Sequence, residues 1–297
     1  MQTVTDSLIV FAAELRRALR SPRVLLVLFL YLALAALTVL AAGFIAQKLQ
    51  TQLTSQGQPT EAMLSPKAGF LAAFFRSDRV LIESLIDVPA AVLVVFVLGR
   101  FFLSAYVALL GFDSVSAELQ TRSLRYLGIR TSRSALALGK GLALAAVVLL
   151  LVTLVHLGSF GYALATVPEF SFGEAARLFP RLWGNTVLIG LAMAGLTTLC
   201  STLSRSPALA LTLNLTALFA LWVAGLVSDG ARMVRSLPGQ DGGPSWQERL
   251  GLLVPSTWST EALYPDPGRA LPAALILLGF AALFMTGAVA ALRARDL

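Results

Sequence analysis

Residues 111–140 read GFDSVSAELQTRSLRYLGIRTSRSALALGK. The stretch is charged and amphipathic, and apolar runs at 89–111 and 142–164 flank it, each long enough to cross a bilayer as a helix. Working outward, similar runs lie at 24–45, 182–203, 207–227 and 271–292. Together they predict an all-α polytopic membrane protein with six transmembrane helices. Pro22, Pro89, Pro207 and Pro272 mark span edges. A transmembrane barrel would instead need alternating segments of about ten residues, and the chain has none.

Composition agrees. Of 297 residues, 57% are hydrophobic and 13% charged, where a soluble domain carries roughly 25% charged residues. Mean hydropathy is +0.79. The net charge of +7 sits at the ends of spans, so membrane topology explains it better than nucleic acid does. A single cysteine, Cys200, permits no intrachain disulfide, and one histidine excludes a His-rich metal cluster. The run at 24–45 is too long for the h-region of a cleaved signal peptide, which spans about 7–15 residues, so it reads as a retained span.

Orientation follows from the cations. With both termini cytoplasmic, the inner segments hold Arg16, Arg17, Arg20, Arg23, Arg122, Arg125, Arg130, Arg133, Lys140, Arg205, Arg293 and Arg295. That density exceeds the outer one, while acids show the opposite bias. The outer connections are 46–88, 165–181 and 228–270. In the last, LPGQDGGP precedes SWQERLGLLVPSTW, where Trp246, Leu250 and Leu253 recur at helical spacing. Two readings stand: a short interfacial helix with Trp246 and Trp258 at headgroup depth, or an ordered loop packed on the helix tips.

Before Pro22, a helical wheel gathers Leu8, Phe11, Ala12, Leu15 and Leu19 within about 100°, with Arg16, Arg17 and Arg20 on the far side. This predicts an amphipathic helix lying in the membrane interface, its cations on anionic headgroups. The plain alternative is a basic flank that only sets topology. In the central segment, a helix over 116–127 would align Glu118, Arg122 and Arg125 on one face, and Leu119, Tyr126 and Leu127 on another. Glu118 and Arg122 would form an i,i+4 pair worth about 0.2–0.5 kcal/mol. One face would pack on the spans and the other would meet a partner. The alternative is a solvated basic loop.

At these residues the chain resembles the ABC-2 type permeases, the membrane subunits of ATP-driven exporters. Their connection between the second and third spans runs approximately D-x-I-S-x-E-x-x-x-G-T-L-x-x-L-L-S-x-P-x-S-R, followed by G-K. Asp113, Ser116, Glu118, Leu124, Leu127, Ser132, Arg133, Gly139 and Lys140 fit, and Ser123 stands for the usual Thr. Arg122 replaces the usual Gly and Arg130 the usual Pro, marking a divergent branch. ELRRALRSPR at 14–23 is similar to the family's amphipathic N-terminal helix, LSRSPALA at 203–210 to its inner turn, and LRARDL at 292–297 to its basic stop.

The resemblance implies one permease domain over 1–297, with an amphipathic segment at 1–22 and an extracytoplasmic loop at 228–270. It implies a coupling segment at 112–140, with Asp113, Ser116, Glu118, Arg122, Arg125, Arg130, Arg133 and Lys140 as coupling residues. Glu14, Arg16, Arg17 and Arg20 belong to the interfacial helix. It further implies two copies of a separate ABC ATPase, a second permease copy (identical or a sister chain), and membrane lipids as partners. ATP and Mg would bind the ATPase and no cofactor this chain. An Arg-rich, Ala-rich composition points to a bacterial cytoplasmic membrane.

Absent motifs agree with that division of labour. The GKG at 139–141 lacks the Gly six residues before the Lys and the following Ser or Thr that a phosphate-binding loop needs. No HExxH, GxSxG or paired-carboxylate arrangement occurs in a span. The scattered acids disfavour a lipid-modifying transferase. A non-transporting membrane scaffold that recruits a cytoplasmic ATPase or other partner is the remaining alternative.

Arg100 sits mid-span with no acid within one turn, at a cost of at least about 2.5–3.5 kcal/mol. It either lines a path for anionic or polar-headed cargo or pairs with an acid from another helix or loop. Asn214 is a second candidate for that path, although it, His156 and Asn185 also suit interhelical hydrogen bonding, and Gly190, Ala194 and Gly195 suit close packing.

Overall fold

The computed structural model describes residues 2–55, 64–75, 78–123, 131–235 and 245–295. The N-terminal segment forms α1, Gln2–Arg20, and Pro22 opens α2, Pro22–Ser55. Proline suits a first helical position because its missing N–H is not needed there. Two short helices follow, α3 (Leu64–Phe75) and α4 (Arg79–Leu85), then α5, Ala90–Gly111. A one-turn helix, α6 (Ser116–Gln120), precedes the long α7, Arg133–Thr166. Next come α8 (Phe172–Leu203) and α9 (Pro207–Arg235), then the short α10 (Trp246–Leu250) and α11 (Pro255–Glu261), and finally α12, Pro267–Arg293.

Six of these helices, α2, α5, α7, α8, α9 and α12, are long and apolar enough to cross a membrane. They coincide with the six apolar runs, but several start earlier. α7 begins at Arg133 because Ser132 caps it, accepting from Ala135 N at 3.2 Å. α8 begins at Phe172 because Ser171 and Glu174 form a capping box there, satisfying two orphan donors reciprocally.

α8 is the hub. Of its apolar window 72% is buried, against 11% in α2 and 17% in both α9 and α12. Small residues make this possible: a Cβ on Gly195 would lie 3.0 Å from Ala281 O, and one on Gly190 2.8 Å from Val148 Cγ1. Backbones that close gain dispersion contacts, the main packing force between helices in lipid.

The bundle has two ends. One carries α1, α6, the 203–207 turn and the last turn of α12. At the other, α3 and α4 bury Leu71, Phe75, Leu81 and Leu85 against Phe96 and Phe160 of the spans, so part of the first long connection forms a packed cap. Arg181 ties this cap together, donating to Leu263 O and, at 2.9 Å, to Ser84 Oγ.

Tyr264 donates to Asp78, the N-cap of α4. Burial, together with that carboxylate, pushes the Tyr264 hydroxyl from 10.0 up to about 12. The folded chain thus holds this proton more tightly than the unfolded one, so the contribution is complete below pH 10 and lost as pH rises to about 12. Tyr264→Phe is expected to flatten the fall of unfolding temperature in that alkaline window, and an identical slope in both proteins would exclude the effect.

Candidate functional site

Gly139 and Lys140 lie two turns into α7, where α1 crosses it. A Cβ on Gly139 would sit 2.6 Å from Val10 Cγ1 and 2.9 Å from Ser7 O, so only glycine admits α1 at this distance. Lys140, its side chain 3% exposed, then meets two carboxylates from separate helices. Its Nζ donates to Glu14 Oε1 of α1 at 2.7 Å and to Glu118 Oε1 of α6 at 2.8 Å. Arg17 Nη1 stands 3.8 Å from Glu14 Oε1 and 3.7 Å from Glu118 Oε1 with its own side chain 73% exposed, a looser and solvent-screened contact. The knot joins α1, α6 and α7 through charge-assisted hydrogen bonds, stronger than neutral ones.

α1 therefore has two working faces. Ser7, Val10, Glu14 and Ala18, at helical spacing, lie toward the bundle, with Ser7 buried and Leu15 and Ala18 packed on the central core. Leu8, Ala12 and Leu19 are exposed and Phe11 half-buried, while Arg16 and Arg20 are exposed. The hydrophobic wheel alone misses the protein-facing stripe, because Ser7 and Glu14 count as polar.

α6 is seated by serines. Val115 N and Ser116 N both donate to Ser201 Oγ of α8, at 3.0 and 3.1 Å, and Ser116 Oγ donates to Phe112 O at 2.9 Å. Asp113 O accepts from Ala117 N at the start of this turn. The expected helix to residue 127 is corrected: α6 ends at Gln120. The expected Glu118–Arg122 pair is corrected too, since among the described residues Glu118 pairs with Lys140 and Arg17 instead. Arg122 has left the helix, with φ of 57°. Leu124, Arg125, Tyr126, Leu127 and Arg130 lie outside the described residues.

Arg122 is the position where the family pattern carries Gly, and a left-handed backbone explains that preference. Arg122→Gly is expected to stabilise the protein by about 1 kcal/mol, since a Cβ is disfavoured in this region. An unfolding temperature in detergent equal to or below that of the parent would contradict the assignment.

Arg133 binds the end of the chain. Its Nη1 donates to Arg293 O at 3.2 Å and Arg295 O at 2.5 Å, while Arg293 Nε donates to Ser134 Oγ at 2.7 Å. Cations suit these positions because the last carbonyls of a helix lack intrahelical donors. Arg295 in turn donates to Leu203 O. Val115, Leu136, Ala137 and Leu292 pack beneath these contacts.

The mid-span polar residues meet a different element. Arg100, roughly 15 Å from either end of α5, donates through Nη2 to Ser256 O at 2.8 Å and Thr260 Oγ1 at 2.6 Å. The described partners of Arg100 are thus a carbonyl and a hydroxyl of α11. Asn185 of α8 donates to Ser259 O at 2.6 Å and accepts from Ser259 Oγ at 2.9 Å, both residues being buried. α11 is therefore re-entrant, dipping from the 228–270 connection to the middle of the spans. Trp258 packs on the central core and donates to Leu252 O at 2.9 Å, whereas Trp246 is exposed. The connection follows neither sequence reading in full: α10 is a short helix, but α11 enters the bundle. Asn214 is fully buried and donates to Thr197 Oγ1 at 2.9 Å, while His156 Nε2 lies 3.3 Å from Thr186 Oγ1.

No curated protein matches the chain. A protein-family model described as ABC-2 family transporter protein matches residues 8–296. That match spans the α1 knot, all six membrane helices and the re-entrant α11, and the chain belongs to the ABC-2 transporter family.

Proposed function

We propose that this chain is the permease subunit of an ATP-binding-cassette exporter in a bacterial cytoplasmic membrane, with both termini cytoplasmic. It works with a second permease copy and two copies of an ABC ATPase that hold the ATP and Mg. The ATPase docks at the 112–140 segment. The observation that carries this reading is the Lys140 knot, which makes α6 continuous with α1 and α7. A push on α6 reaches α8 through Ser201 and α12 through the Arg133 contacts. Displacement of the cytoplasmic helices would then re-pack spans one, two and five across the permease seam.

Glu118 and Lys140 face inward in this reading, so the docking surface is the exposed tip at Gln120, Thr121 and Arg122. Its positive charge suits an acidic groove on the ATPase. Arg122→Glu is the test. It should lower co-purification of the ATPase, and transport-coupled ATP hydrolysis, by about tenfold or more while leaving the permease folded. Undiminished association and coupling would reject this docking surface. Stable association without any ATP-dependent transport would favour a scaffold.

A further inference from the structure

The geometry points to a binding site for a phospholipid headgroup that carries a primary ammonium, in the cavity between α1, α6 and α7. The cavity holds about 250 Å³, more than the engineered apolar cavity of about 150 Å³ that takes up benzene. It is amphiphilic in layout. Arg17, Ser114, Glu118 and Lys140 supply charged and polar groups, and Val24, Leu110 and Leu144 supply apolar ones. Ser21 and Val24, where α1 turns into α2, also border it. An interfacial helix turns into a span at headgroup depth.

Two oxygens define the ligand. Glu118 Oε2 and Ser114 Oγ are both buried without a hydrogen-bond partner, while Glu118 Oε1 is taken by Lys140. A buried carboxylate oxygen without a donor is costly, so the cavity selects for a ligand that donates. A primary ammonium brings three N–H groups, enough for both oxygens. A choline headgroup brings none and leaves both bare. The phosphate has a partner at the rim: Arg17 holds its carboxylates at only 3.7 and 3.8 Å and stays exposed, so its guanidinium is available for a bidentate contact. The glycerol and first methylenes then lie along Val24, Leu110 and Leu144. The site stands independently of the ATPase reading, because it needs only this chain and a membrane.

The test uses the full chain, reconstituted in vesicles of equal parts phosphatidylethanolamine and phosphatidylcholine, then released and weighed by native mass spectrometry. Phosphatidylethanolamine should be retained about tenfold over phosphatidylcholine, corresponding to about 1.4 kcal/mol. Ala117→Leu narrows the cavity from α6 without removing a charged group, and it should bring the two lipids to equal retention. Equal retention on the unaltered chain would overturn the proposal, with no variant needed. So would an undiminished preference in Ala117→Leu. If free phosphoethanolamine raised the unfolding temperature as much as the lipid does, the headgroup chemistry would belong to a soluble ligand and the lipid assignment would fall.

Discussion

Lys140→Met is expected to destabilise the protein by about 3 kcal/mol, the low end of the cost of removing one partner from a buried ion cluster. The low end applies because Glu14 keeps 24% of its side chain exposed and regains some water, whereas Glu118 keeps only 12%. Met matches the length of the lysine stem, so packing changes little and the loss is electrostatic: two carboxylates face each other with Arg17 as their described cation. At roughly 3 °C per kcal/mol the unfolding temperature in detergent should drop by about 10 °C. Glu118→Gln in the same chain should restore part of the drop, because a neutral amide no longer repels Glu14. A shift within about 1 °C, or no rescue in the double variant, would show that the knot contributes nothing net, as many exposed ion pairs do.

Arg100→Met should release α11. The guanidinium holds Ser256 O and Thr260 Oγ1, and hydrogen bonds from a charged donor contribute about 1.5–3 kcal/mol each when buried. The Asn185–Ser259 pair remains on the other side, so α11 should loosen without unfolding the bundle. Hydrogen exchange over 255–261 reads this directly: protection there should fall by at least about tenfold while α8 stays protected. Combining Arg100→Met with Asn185→Leu should remove protection from α11 entirely. Unchanged exchange in the double variant would mean that the helix is held by apolar packing alone.

These two sites also show what was legible in the chain. The spans were, because an apolar run of that length has few other uses. Gly139 and Lys140 stood out as a pair, and their neighbourhood marked the right end of the bundle. Their direction did not show, because it depends on α1 crossing at Gly139, a contact separated by more than a hundred residues along the chain. Arg122 was visible as a departure from the family's Gly, but only its φ of 57° explains the usual residue. α11 was the hardest. PSTWSTE is short and half polar, and it enters the bundle because Arg100 and Asn185 offer donors at that depth. Helical periodicity within one segment cannot report on donors from two others.

The knot has a mechanical consequence. An ammonium is close to a sphere of charge on a flexible stem, and its three protons rotate freely about the terminal carbon. Glu14 and Glu118 sit on different helices and meet only at that sphere. Lys140 is thus a ball joint: α1 and α6 can swivel relative to each other while both bonds persist. A guanidinium would hold the same two carboxylates in a planar fork, turning the joint into a hinge with one permitted axis. For a protein whose cytoplasmic helices must tilt against one another in every cycle, the simpler cation allows more kinds of motion.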